Sequence, residues 1–496
     1  MRSQARCLNL AFVATLIATG AGQPRAAILQ SVRDNPSVAF VHVTVIDGTG
    51  AAARPDQTVV TSGDRITAVG PSITVRIPPG ARVTDATGRF VIPGLWDAHI
   101  HTRYEGIDHF RLLIANGITS TRNMSAPWDY LPEILAAREQ IAKGERIGPR
   151  LLTAGPVLDG PGGRRATSAV VNNADEAGQA VRRVKREGAD FVKVYDLLSR
   201  DSFFAIAAEA RTQALPVAGL LPYAVNAKEA SDAGLRSIEH MDGILWASST
   251  REDEIRSMSQ ESQPNSGSPT TGSRSSPASS RPVSAAFLRD SFSAAKLGAV
   301  ADRLKKNQTV VVPTLSNYWS RFENRSEHSV VAASDRLRYV PAAYADFWKG
   351  LGAPPRGDEE ARVLFEQSLV AVRELHAAGV AILPGTDVGV PFQVPGFSLH
   401  DELSLLVKAG LSEMEALEIA TRHPARAFNL TDQGTVERGM RADLVLLDAN
   451  PLEHIENTRR IRAVVANGRL LERHELDAML ADIETAARDW TGTPTR

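Results

Sequence analysis

The sequence predicts an α/β protein: a (β/α)8 barrel of the TIM type carrying a small β-sandwich domain built from both chain ends. Three observations carry this. Between Val91 and Asp387 short apolar runs alternate with helical stretches, giving eight strand candidates in a row. From Phe40 to Phe90 the chain reads as short β-strands instead, and the same character returns at Arg441–Asn450 and Arg462–Leu471. The 496 residues suffice for a barrel plus an appended domain.

The N-terminus reads as a secretory signal. Arg2 and Arg6 supply the positive region, and Leu8 to Gly22 supplies a short apolar core ending in small residues, with cleavage near Gly20 or Ala21. The run is shorter than the ~20 residues of a membrane span. The single cysteine, Cys7, falls inside the expected signal segment, so disulfides play no part in the mature chain. A periplasmic or secreted protein is expected. The net charge of −1 provides no basic excess to attract nucleic acid or an anionic membrane.

The end segments follow. VHVTVIDG, then QTVV-TSGD-RITAVG with a turn between two Val/Ile/Thr-rich runs, reads as a hairpin-rich sheet. The domains are expected to be a signal peptide over 1–21, a composite β-domain over 38–92 and 431–475, the barrel over 93–430, and a C-terminal helix and tail over 476–496.

The barrel strands come next, in order. The first is VIPGLWDAHIH (Val91 to His101), followed by GITSTRNM, RLLTAGPVL and FVKVYD; then come PVAGLLP, SIEH, TVVVPTL and VAILPGTD, which ends at Asp387. Asn173 is placed to cap the helix after strand three, and Gly188 to end it. One segment does not fit: residues 247–285 are rich in Ser and Pro and nearly free of large apolar side chains, so a disordered insertion after strand six is expected.

The C-terminal ends of barrel strands are where chemistry sits. Side chains alternate along a strand, so His99 and His101 point the same way and can grip one divalent metal. Alone, H-x-H is a weak motif. VIPGLWDAH, however, resembles the first-strand signature of the amidohydrolase superfamily, and RADLVLLDAN with RAVVANGRLL resembles the segments that close its second domain. The resemblance runs from about Phe40 to Leu471, apart from the Ser-rich insertion. It points to the branch containing imidazolonepropionase-like enzymes and Xaa-Pro or Xaa-Arg dipeptidases.

The resemblance implies a ligand set. His99 and His101 on strand one, Lys193 on strand four, His240 at the end of SIEH and Asp387 at the end of LPGTD match the family's metal-binding positions. Lys193 would be carboxylated to bridge two metals; its apolar strand would lower the amine's pKa and favour that modification. Asp387 would be both ligand and proton shuttle as a metal-bound hydroxide attacks. The strand-five histidine is missing. Leu220 stands in its place, twenty residues before His240, with the register intact. The expectation is a divalent metal, zinc foremost, with one firm site and a depleted second one.

The function implied is hydrolysis of a C–N amide, peptide or cyclic amide bond in a small molecule or dipeptide. The alternatives are an inactive barrel that retains a ligand pocket, or a lactone or phosphoester hydrolase. Substrate-contact candidates are Arg164, as a fork for a carboxylate, with Tyr223 and His400 near the mouth.

Overall fold

The computed structural model describes residues 37–103, 105–163, 167–261, 284–323, 335–350 and 357–493. The segment expected to be a signal peptide and Arg164 lie outside the described residues. Among the described residues, no helix is long and apolar enough to cross a membrane.

Two eight-stranded sheets organise the chain. The first is the composite domain. Its N-terminal strands are β1 (Val38–Val45), β2 (Arg54–Ser62), β3 (Arg65–Pro71), β4 (Arg82–Asp85) and β5 (Phe90–Pro93). The second sheet is the barrel: β6 (Leu95–Ile100), β7 (Ile118–Asn123), β8 (Arg150–Asp159) with the short β9 (Ala169–Val170), β10 (Phe191–Val194), β11 (Val217–Gly219), β12 (Leu235–Glu239) and β13 (Val310–Val312). The chain then returns to the first sheet through β14 (Leu444–Leu447), β15 (Ile461–Ala466) and β16 (Arg469–Glu472). β5 pairs in parallel with β1 and antiparallel with β14, so the two ends meet in one mixed sheet. Val43, Val59, Ile66, Val91, Leu444 and Val465 are buried together in its core.

The barrel strands pair in parallel from β6 to β13. Closure falls to the expected eighth strand, residues 380–387, and differs from a regular ladder. It is held by Val311 N–H to Ala381 O (3.0 Å) on one side and by Ala98 N–H to Pro384 O (2.9 Å) and Asp387 N–H to His99 O (2.8 Å) on the other. Pro384 has no N–H to donate, which breaks the ladder into isolated bridges.

The stretch expected as one strand is divided. Phe90–Pro93 lies in the composite sheet, and Leu95–Ile100 lies in the barrel. Gly94 is the junction: a Cβ there would stand 1.9 Å from Thr119 Oγ1. Gly94→Ala is therefore expected to destabilise the fold by about 1–3 kcal/mol through overpacking, read as a lowered urea midpoint. An unchanged midpoint would refute the clash.

The Ser-rich insertion is shorter than expected. Residues 252–261 form a helix that buries Ile255, and Arg256 donates to Val225 O at 2.8 Å. Another helix begins at Ala285, capped by the Ser284 hydroxyl. One buried isoleucine and one well-bonded arginine suffice to anchor a polar helix; composition over the whole window hid them. Residues 262–283 lie outside the described residues. The C-terminal helix begins at Arg473, three residues earlier than expected.

Candidate metal centre

Strand β6 ends at Ile100, so His99 lies within it and His101 just beyond, both buried. His240 follows β12 and Asp387 ends the eighth segment, each with a left-handed backbone (φ 66° and 57°). Left-handed non-glycine residues are uncommon and gather where a site dictates the conformation. Here the turn swings each side chain over the barrel mouth.

These residues converge. Ligand atoms of His99, His240 and Asp387 all lie within 4.8 Å of one another. Asp387 Oδ1 is 3.3 Å from His99 Nε2 and 3.2 Å from His101 Nε2, while its Oδ2 is 4.0 Å from His240 Nε2. The His99 ring lies 4.7 Å from that of His240 and 5.6 Å from that of His101.

The hydrogen-bond pattern shows what belongs among them. His99 Nδ1 lies 2.7 Å from the Glu239 carboxylate, which only accepts, so Nδ1 carries the proton and Nε2 presents a lone pair. That lone pair faces Asp387 Oδ1, which is buried and has no hydrogen bond. Lone pairs crowded together in this way are repulsive until a cation sits between them. The donor set of imidazoles and one carboxylate suits a divalent ion.

A charged support stands behind the ligands. Glu239 is wholly buried and bonds Arg122 at 2.7 Å and the Ser237 hydroxyl. Burial opposes its ionisation, but Arg122 and His99 outweigh this and hold the carboxyl well below its usual range. Arg122 is itself fixed by its bond to Ala98 O at 2.7 Å. Asp97 accepts from the Thr386 hydroxyl at 2.7 Å, tying the first strand to the turn that carries Asp387; burial pushes Asp97 up to about 7. His240 is pushed down to about 3, by burial first, and its Nδ1 lies 2.8 Å from Thr314 Oγ1.

Lys193 is 1% exposed on β10, paired alongside Val157 and Ala218. Its charge lowers the pKa of both Glu239 and His240, which places it electrostatically beside the cluster. Leu220 directly follows β11, half-buried, with its N–H bonded to Val194 O at 3.2 Å.

The substrate-contact expectations fare differently. His400 is not at the mouth: its two ring nitrogens meet Thr458 Oγ1 (2.9 Å) and Asn116 O (3.1 Å) in a buried helix contact. Burial pushes it down to about 3, so it is a neutral structural group. Tyr223 is buried against Trp246 and donates to Asp196 Oδ2 at 3.1 Å, which leaves its hydroxyl tied to the wall. The sequence reading missed Glu239, Arg122 and Thr314. The first two sit on strands with other polar residues, LRSIE and ITSTRN, so they did not stand out as Lys193 does in FVKV.

Fold and cluster together define a metal-binding barrel protein with an appended sheet domain. Residues 320–471 match the model of the amidohydrolase family. Over that span the chain is similar to the amidohydrolase family. A protein from Bifidobacterium longum described as a candidate prolidase has the same fold, with TM-score 0.62 and 25% identity over 91% of this chain and 99% of that one. Bottromycin amidohydrolase (TM-score 0.69, 23% identity, 94% of each chain) and an Xaa-Pro dipeptidase with bound methionine (0.63, 20%, 88% and 100%) share the architecture. At their identities these two speak for the fold alone. No curated protein matches the sequence.

Proposed function

We propose that this protein hydrolyses a C–N amide or peptide bond in a small dipeptide-like or N-acyl amino acid substrate, using one divalent metal, zinc foremost. The observation that carries the reading is the convergence of His99, His240 and Asp387, with His101 Nε2 3.2 Å from Asp387 Oδ1, an oxygen that meets no well-aligned hydrogen-bond donor among the described residues. A divalent ion held there acidifies water towards a pKa of ~7 and polarises the scissile carbonyl. The chain's own residues do the rest. Glu239 keeps His99 in the tautomer that offers Nε2, and Thr314 Oγ1, 2.8 Å from His240 Nδ1, orients that ring. Asp387 takes the proton from the attacking water and passes it to the leaving nitrogen.

The substrate class is supported by likeness. Structures sharing the fold include the Xaa-Pro dipeptidase with bound methionine and a prolidase complexed with N-methylphosphonate-L-proline. Their range also takes in an ochratoxinase from A. niger and a molinate hydrolase, so the leaving group is the less constrained part. Lys193 belongs to the same reading as a carbamate: its neutral amine adds carbon dioxide and releases one proton, and the anion so formed is a ligand. Residues 1–21 as a cleaved signal, and hence a periplasmic or secreted location, rest on sequence pattern.

The test is a panel of dipeptides and N-acyl amino acids assayed with zinc, manganese and cobalt. Amine release under at least one metal is expected. Ligand binding without product under every metal would favour the second reading, an inactive barrel, which Leu220 supports. Leucine offers a metal nothing, so about one tightly held metal per chain is expected, rising towards two in Leu220→His, by elemental analysis. Two tightly held metals in the unmodified protein would remove the argument.

A further inference from the structure

Thr314 and the first turn of the helix Leu315–Glu323, which follow β13, touch two members of the metal cluster without contributing a ligand. Thr314, left-handed at φ 49°, meets His240 Nδ1. Three residues on, Asn317 donates Nδ2–H to Asp387 Oδ2 at 2.7 Å. A carboxylate oxygen only accepts, so the amide nitrogen must be the atom facing it, and this orientation fixes where the amide oxygen lies. That oxygen is buried and has no hydrogen-bond partner among the described residues. Burying an unpaired amide oxygen costs about 1–3 kcal/mol, and an apolar side chain of the same size would avoid it.

The turn is held rigidly. The carboxyl of Glu402 accepts from Leu315 N–H (2.9 Å) and Ser316 N–H (2.6 Å), and Gln393 donates to Ser316 O at 2.9 Å. A buried acidic group is spent on two backbone donors immediately before Asn317. The arrangement serves to present the Asn317 amide, and Asp387 is what receives it.

We propose that Asn317 is a positioning residue: it holds the Asp387 carboxylate by Oδ2 so that Oδ1 stays turned towards His99 and His101. An unpaired buried oxygen is the stability cost of that task. The inference rests on Asp387 being a metal ligand, as in the function proposed above.

Asn317→Leu keeps the volume and removes both polar ends. In metal-free protein the loss of the unpaired amide oxygen and the loss of the donor to Asp387 Oδ2 oppose each other, so its melting temperature is expected to change little. Cobalt affinity should fall about 10- to 100-fold and the visible spectrum of the cobalt-loaded protein should change. On any substrate found, kcat should fall with KM little altered. Asn317→Ser, whose short hydroxyl cannot reach Asp387, should show the same loss of affinity and covers the case in which the leucine variant does not fold. Unchanged cobalt affinity and spectrum in either folded variant would overturn the proposal. If the unmodified protein binds cobalt but hydrolyses nothing, the function reading fails while the cobalt measurements still decide the role of Asn317. A chain that holds no metal overturns both.

Discussion

Asp387→Asn is expected to lower turnover by on the order of 10²- to 10⁴-fold while leaving the fold intact. The backbone at Asp387 is left-handed, and asparagine is among the few residues that tolerate this conformation, so the turn is preserved. What is lost is chemistry. An amide neither takes a proton from water nor supplies the anionic charge that offsets a cation next to two imidazole lone pairs. Retained metal should fall with activity. Metal-free stability should change little, because burial opposes the ionised carboxylate while the facing histidines favour it. The measurements are kcat/KM, metal content and thermal melting of the metal-free form. Full activity with full metal content in this variant would remove Asp387 from the centre.

Glu239→Gln acts through the support behind the ligands. Glu239 and Arg122 are both buried, and the pair is joined at 2.7 Å. Neutralising one partner leaves the other charge uncompensated, which is expected to destabilise the protein by about 3–5 kcal/mol. His99 also loses the acceptor that fixes its tautomer, so metal affinity should fall about 10- to 100-fold. The double variant Arg122→Met/Glu239→Gln separates the two effects: stability should recover in part while metal affinity does not. Acidification provides a further check. The folded pKa of Glu239 is depressed, so its contribution to stability is present above the unfolded value of about 4.3 and is lost as pH falls below it. The unmodified protein should therefore show a loss on acidification that the glutamine variant lacks. Equal denaturant midpoints for the two at neutral pH would contradict the network.

The barrel order and the two-ended sheet domain were legible, as were three residues that cluster, His99, His240 and Asp387, because each depends on local pattern. An apolar run bounded by turn residues identifies a strand, and His, Lys or Asp at its end stands where barrel chemistry sits. Legibility failed where the determining contact is long-range. The division of the first strand at Gly94 depends on Thr119 coming within reach of where a Cβ would be, and nothing between Val91 and His101 signals that neighbour. His400 looked like a mouth residue from its position after the eighth strand; its partners, Asn116 and Thr458, are 284 and 58 residues away. The helix at 252–261 shows the same lesson in reverse, since averaging over a Ser-rich window concealed the few residues that anchor it.

By itself the sequence determined which residue types the centre has at its disposal: two histidines one residue apart, a buried lysine, His240 and Asp387. Tertiary structure decided how these are held. Glu239 and Arg122 define the His99 tautomer, and Asn317 on its clamped turn faces the carboxylate of Asp387. The physical reason is that a side chain's type and strand register are local properties, whereas a hydrogen bond between residues 70 or 140 positions apart exists only once closure of the barrel has brought their strands together.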